Sequence, residues 1–444
     1  MVKKNIIEPI KFFIYCLPIA LIFSRFIADF IVSFSSLFFL IFLMINRNFN
    51  SFNNKIIIYL LIFNLYLLFN SIVTNSYSFN LDSVIFYIRF TFFALLISYF
   101  FHNFNDFSKF FFITLLIAYT FLIFDGYYQY IFGKDIFGYK TICVRDCNES
   151  VNIQSLRLTG PFGSKMIIGS YLARYYPILL GLFFFLNFKN SKFINIFIFL
   201  ITILAGGLIF LSGERTSFFL FLVFIIISFF LLNIKIKIKI IFISILFLTV
   251  IFLSKLFPHS SFRMFTFSLM QFGINTNFNN ENIIEKKFNL VKKSIEKESD
   301  KGFYIFSKHH DSHFKTAFNI FLDNPFFGTG VKSFRYVCDK YKIDNDSCTT
   351  HPHNILAQIL SEIGLFGFFF YIYFFIFLIK NFILHYYSII KNKIYIFNNS
   401  QICFFLSIFL YLLPIVPTGN VFNNWLSINL YLSIGFLIYN EKDN

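Results

Sequence analysis

The sequence predicts an all-α polytopic membrane protein of about twelve transmembrane helices, with one large, partly helical loop near 257–354. Three observations carry this. The chain is 57% hydrophobic and 23% aromatic, with mean hydropathy +0.70 and 14% charged residues, where soluble domains have about 25% charged residues. Its 76 Phe exceed what one water-facing domain could bury. Apolar runs of roughly 15 to 25 residues, the length that about 30 Å of hydrocarbon requires, recur along the whole chain. A soluble globular protein is thereby excluded. A net charge of +16 would point to nucleic acid in a soluble protein, but membrane topology accounts for much of it, and no nucleic-acid partner is expected.

In order, the runs lie near 12–23, 30–45, 56–74, 83–101, 110–130, 166–186, 193–211, 218–232, 240–256, 355–379, 401–416 and 425–439. The opening MVKKNIIEPIK reads as the start of an uncleaved first helix, because no small-residue cleavage site follows it. The N-terminus, 46–55, 102–109, 187–192, 233–239, 380–400 and the C-terminal tail hold 15 Lys or Arg. The short opposite loops 24–29, 75–82, 212–217 and 417–424 hold two, Arg25 and Arg215. The positive-inside rule makes the first set cytoplasmic and places both termini there. The chain divides into 1–256, with an external loop at 131–165, then the large external loop 257–354, then 355–444 with the last spans and a cytoplasmic tail.

The two long loops carry most of the His and four of the six Cys. Cys143 with Cys147 and Cys338 with Cys348 suit local disulfides in an oxidising compartment. Neither spacing is C-x₂-C, so a metal is not expected. ENIIEKKFNLVKKSIEKES places Ile284, Phe288, Val291 and Ile295 at helical spacing among lysines, an interfacial amphipathic helix or a solvated one. HFKTAFNIFLDNPFFGTG reads as a helix stopped by Asn324-Pro325 and a Gly328-x-Gly330 turn.

Four constellations could carry chemistry. Ser212-Gly213-Glu214-Arg215-Thr216-Ser217 is a polar island between apolar spans. Its guanidinium offers a fork of donors for phosphate oxygens, unless Arg215 snorkels and pairs with Glu214. Thr349-Thr350-His351-Pro352-His353-Asn354 leads a polar loop into a helix carrying Gln358 and Glu362 on one face. There His353 is placed to take a proton from a hydroxyl, or the group only caps a helix entrance. Pro352 should hold the backbone extended and leave His351 and His353 pointing apart. Arg157-Leu158-Thr159-Gly160 precedes a helix bearing Arg174 about 12 Å inside its start, and a lipid-linked phosphate is a candidate counterion. For Arg89, embedded in another span, bonds to helix-end carbonyls are preferred. Arg263, at a membrane edge, is a second phosphate clamp or an interfacial anchor. His309, His310, Asp311 and His313 share the loop with His351 and His353, but the spacing is not HExxH, and they read as surface residues.

Together these residues resemble the O-antigen ligase and O-antigen polymerase superfamily of bacterial envelope glycosyltransferases. The likeness rests on the Ser-Gly-Glu-Arg-Thr island, the late large loop, and His353-Asn354 followed after nine residues by Gly364-x-x-Gly367. Asn324-Pro325-Phe326-Phe327-Gly328-Thr329-Gly330 and Arg157-x-x-Gly160 extend it to roughly 157–367. The resemblance implies a multi-pass protein of the bacterial inner membrane with its site facing the periplasm. It implies glycan transfer from undecaprenyl pyrophosphate to an acceptor hydroxyl, without nucleotide, metal or other cofactor. His353 would be the base and Arg215 and Arg263 the pyrophosphate clamps, joined by Arg157 and Arg174. Glu214, His351, Asn354, Gln358 and Glu362 would support them. The acceptor would be lipid A core or a growing glycan; the late loop and the HN-x₉-GxxG pattern resemble ligases more than repeat-unit polymerases. Protein O-glycosylation is a third choice of acceptor. A transporter or lipid flippase is the alternative of another class, but it predicts pseudo-symmetric halves, whereas the polar weight here is concentrated in one late loop.

Overall fold

In hydrocarbon, backbone polar groups must be satisfied within their own segment, so apolar runs of this length fold as helices. The computed structural model describes residues 2–46, 50–142, 157–188, 192–266, 268–269, 308–345 and 347–440. The helices are α1 (Val2–Phe23), α2 (Arg25–Asn46), α3 (Lys55–Val73), α4 (Tyr77–Ile85), α5 (Arg89–Asn103), α6 (Asn105–Phe132), α7 (Ile168–Phe185) and α8 (Lys192–Leu211). They continue with α9 (Arg215–Leu231), α10 (Ile236–Leu256), α11 (Lys308–Asp323), α12 (Phe334–Tyr341), α13 (Ile355–Asn392), α14 (Asn399–Leu412) and α15 (Asn424–Asn440). Among the described residues, eight helical segments are long and apolar enough to cross a membrane. The apolar helices Arg215–Leu231, Asn399–Leu412 and Asn424–Ile438 are shorter. The Cys143–Cys147 pair and the 281–299 amphipathic stretch lie outside the described residues.

Each predicted apolar run falls largely on a helix, and the boundaries differ for local reasons. The stretch 75–82, expected as a loop, is mostly α4, which a short 3-10 turn at Phe86–Ile88 joins to α5. Helix α13 runs to Asn392, well past 379, because buried His385 accepts from Phe397 N–H through Nδ1 and so anchors its far end. It ends where Lys393 turns left-handed at φ 55°. Side-chain caps begin other helices: Asn54 accepts from Ile56 N–H, and Asn398 with Gln401 forms a capping box.

Helices α5, α7, α14 and α15 form the centre, with α15 against α5 and α14 against α7. Polar bonds tie neighbours where apolar driving force is weak. Tyr119 Oη donates to Leu172 O (2.9 Å), Asn64 Nδ2 to Thr91 Oγ1 (3.0 Å) and Tyr171 Oη to Pro18 O (2.9 Å). Phe26, Phe193 and Phe247 face out of the bundle at 77%, 78% and 63% exposure. Such an outer surface is costly in water and ordinary against lipid, so the chain is a multi-pass membrane protein.

The same end of the bundle collects the α1–α2 junction, segment 157–167, the 212–217 turn, Phe262–Thr266, the loops flanking α12, and 413–423. At this end Asn324-Pro325 stops α11, and the turn that follows crosses α13 at a break. Gly364 has φ 65° and ψ −167° inside α13, which frees nearby carbonyls. The turn takes them up: Thr329 N–H donates to Ser361 O (3.0 Å) and Gly330 N–H to Glu362 O (2.7 Å). In return, Leu365 N–H donates to Pro325 O (2.8 Å). A Cβ on Gly364 would lie 2.3 Å from Phe326 O, and one on Gly328 2.5 Å from the Glu362 carbonyl carbon. Backbone thus meets backbone, which explains Gly328 and Gly364, one glycine of each motif. Gly364→Ala is therefore expected to destabilise the protein by roughly 3 kcal/mol or more. In a thermal-unfolding comparison Gly419→Ala, which meets only the end of the Leu426 side chain, is the control; equal midpoints would reject this account.

Candidate active site

Two groups of predicted residues gather at this end. The first forms around the 212–217 turn. Gln129 Oε1 accepts from Thr159 N–H (2.9 Å) and Gly160 N–H (2.8 Å), and Arg157 pairs with Ile142 in an antiparallel bridge, so the approach to α7 is fixed. Glu214 then caps α7 from another loop, accepting from Gly169 N–H (2.8 Å), Ser170 N–H (3.0 Å) and Ser217 Oγ (2.8 Å). This uses the positive end of the α7 dipole. Burial pushes the Glu214 carboxyl up from its ordinary range, against the opposing pull of Arg157 and these donors.

Arg263 Nε donates to Gly213 O (3.0 Å), and a Cβ on Gly213, at φ 71°, would lie 3.0 Å from Arg263 Cδ and 3.8 Å from Arg157 Cγ. Arg215 is the first residue of α9, directly after Glu214. Arg157, Glu214, Arg215 and Arg263 therefore share one neighbourhood. Burial lowers the Arg157 pKa, and its Nε has no hydrogen-bond partner among the described residues. Arg174, 6% exposed within α7, donates from Nε to Ser170 Oγ (3.4 Å) and leaves Nη1 without such a partner. Arg89 behaves differently. It donates to Phe86 O (3.0 Å), the helix-end carbonyl bond foreseen, and also pairs with Asp29 at 2.7 Å.

The second group surrounds His353. Cys338 and Cys348 form a disulfide with Cα atoms 5.3 Å apart, closing the segment that leads to the histidines. Asn354 caps α13 through Ala357 N–H (3.1 Å) and donates to Pro414 O (2.6 Å), while Thr418 N–H donates to His353 O (2.9 Å). Gln358 and Glu362 fasten loops here. Glu362 accepts from Gln358 Nε2 (2.9 Å) and Lys332 N–H (2.9 Å), and Gln358 Oε1 accepts from Val421 N–H (2.9 Å).

His351 and His353 do not point apart as expected: their ring centroids are 4.0 Å from each other. The reason is φ 56° at His353, a left-handed turn that folds its ring back past Pro352. Burial lowers the His351 pKa to about 4, so its ring is neutral at pH 7. His310 and His313, expected at the surface, lie with rings 5.7 Å and 5.3 Å from that of His353, and His313 is fully buried. Their three-residue helical spacing on α11 was the available signal. Among the described residues, no cluster of three or more His, Cys, Asp or Glu has a metal-holding arrangement.

The groups are linked through α7, α15 and the 413–423 loop: Trp425 of α15 packs its ring on Tyr171 and Tyr175, and Asn429 donates to Arg174 O (3.4 Å). The disulfide orders one of these approaches. Peptide mapping should find Cys338 and Cys348 bridged, and Cys338→Ser should cost roughly 2 to 3 kcal/mol of stability; recovery of both as free thiols would refute it.

A bundle of membrane helices with buried arginines and clustered histidines at one end defines a multi-pass membrane protein with a polar site at its edge. Residues 197–372 match the model of a known family, Wzy_C, described as O-antigen ligase. The match covers less than half of the chain, running from α8 to the middle of α13, and is a likeness of that part to the family. It contains Arg215, Arg263 and His353, and leaves Arg157 and Arg174 outside. No curated protein matches the chain in sequence.

Proposed function

We propose that the protein transfers a glycan from undecaprenyl pyrophosphate to an acceptor hydroxyl at the periplasmic face of the inner membrane, ligating O-antigen to lipid A core. The observation that carries this is the gathering of Arg157, Arg215 and Arg263 around the Glu214-capped start of α7, within or beside the matched family segment. The acceptor oxygen attacks the anomeric carbon, the bond from that carbon to the pyrophosphate oxygen breaks, and the configuration inverts. Fixed guanidinium donors stabilise the charge growing on the leaving pyrophosphate. Arg174 lies deeper along α7 and extends the positive field toward the lipid.

His353 takes the hydroxyl proton. The strained backbone at φ 56° supports that role, because such conformations are held in place where a side chain must be aimed. His351, kept neutral by burial, is a weak proton acceptor and serves to position its neighbour. Asn354, Gln358 and Glu362 support the same geometry through the loops they fasten.

Deletion of the gene in its host followed by lipopolysaccharide gel analysis tests the reading. Bare core with the whole ladder lost is the expected result; one repeat retained on core would identify a repeat-unit polymerase instead.

A further inference from the structure

Beside these groups lies a cavity of about 360 Å³, within the size range of small-ligand sites. Arg25, Lys332 and Arg335 line it together with Asn420 and Trp425, and no Asp or Glu is among its described lining residues. Three cations sharing a wall at a membrane edge repel one another and resist desolvation. Lys332 records this: burial and then the Arg335 and Arg89 charges lower its pKa, despite opposing pulls from Glu362 and Asp29. Asp29 is already paired with Arg89 at 2.7 Å.

The cavity is also built in advance. Lys332 is held at φ 57° by its N–H to Glu362 Oε2 (2.9 Å), and its Nζ donates to Ser83 Oγ (3.3 Å). Independently, Asn420 is 7% exposed, uses Oδ1 to accept from Phe422 N–H (2.8 Å), and has no hydrogen-bond partner for Nδ2 among the described residues. A buried donor left open beside three cations calls for an acceptor carrying negative charge.

We infer that this cavity is an oxyanion site, distinct from the Arg215 and Arg263 pair, that holds a phosphate group borne by a glycan substrate or by a lipid headgroup. Lys332 and Arg335 contact the phosphate, Asn420 Nδ2 donates to it, and Arg25 closes the side toward the α1–α2 junction. A smaller cavity of about 180 Å³ shares Arg25 and adds Lys165, so positive lining continues along the α1–α2 junction. The inference rests on the cavity and holds whichever glycan is transferred.

Trp425 is the one tryptophan in the sequence, so its emission reports on the cavity directly. The full-length protein in phosphatidylcholine nanodiscs is titrated with inorganic phosphate and with inorganic pyrophosphate. A saturable change in emission is expected, weakened about tenfold by Lys332→Gln or Arg335→Gln. Lys332→Arg should restore it and show that the fold is intact. A response that survives Lys332→Gln and Arg335→Gln but is lost in Arg215→Lys would place the binding at the proposed pyrophosphate clamp instead and overturn the inference. In nanodiscs that include phosphatidic acid, loss of the response to soluble phosphate identifies a lipid headgroup as the occupant, and an unchanged response identifies a glycan-borne phosphate. No saturable change up to about 10 mM, well beyond millimolar binding, or a change that survives both Gln substitutions, would overturn the inference.

Discussion

Arg215→Lys is expected to lose about 10²–10³-fold in glycan transfer, nearly as much as Arg215→Ala, because removing one preorganised donor from a developing oxyanion typically costs that much. The lysine keeps the charge, but it cannot present two parallel N–H groups to one phosphate. The loss should be large because the position is fixed by its surroundings. Arg215 opens α9 immediately after Glu214, whose carboxylate is committed to Gly169, Ser170 and Ser217, and the preceding Gly213 carbonyl is held by Arg263. A lysine placed there has no freedom to shift its backbone toward the phosphate. The measurement is transfer in proteoliposomes from a defined lipid-pyrophosphate donor, with protein amount and unfolding midpoint matched to wild type. Near-normal transfer by Arg215→Lys would mean that charge alone, or simple snorkelling, explains the residue. Arg89→Lys is the comparison, because Arg89 is engaged by Asp29 and Phe86 O, away from the clamp.

The helical membrane character was legible because hydrocarbon leaves so few choices: a run of apolar residues must bond its own backbone. The polar island and the histidine loop were legible for the complementary reason that charge at a membrane edge is expensive and needs a cause. What could not be read was anything set by contact between distant segments. Glu214 looked like a partner for its neighbour Arg215, yet its oxygens cap a helix that begins 46 residues earlier in the chain, at Ile168. Gly364-x-x-Gly367 carried the family likeness, but only the fold shows that Gly364 makes room for the Phe326 carbonyl. Asn70 and Asn80, which reach from α3 and α4 to Phe327 O (2.6 Å) and Val331 O (3.0 Å), gave no signal within their own helices. The cavity lined by Lys332 and Arg335 joins four separate stretches of chain, so local patterns were silent about it.

His353→Ala is expected to cut turnover by about 10²–10⁴-fold, the usual contribution of a general base, while leaving donor binding largely intact. The structure makes the choice of variant matter. His353 is left-handed at φ 56°, and Asn tolerates that conformation better than Ala does. His353→Asn therefore removes the base with less disturbance of the turn, and the two variants should lose similar activity if the proton is what matters. His351→Ala should cost less. Its ring is 4.0 Å from that of His353, so some loss through positioning is expected, but burial holds its pKa near 4 and leaves it a poor acceptor at neutral pH. The pH profile separates the two roles. Wild-type activity should fall on the acid side as the base protonates, and His351→Ala should keep that limb, whereas the residual activity of His353→Asn should lack it. If purified His351→Ala lost the limb while His353→Asn kept both the limb and near-normal turnover, the assignment would be reversed. Normal turnover and an unaltered profile in both would move the base to a carboxylate, and Glu214, whose pKa burial already raises, would be the first to test.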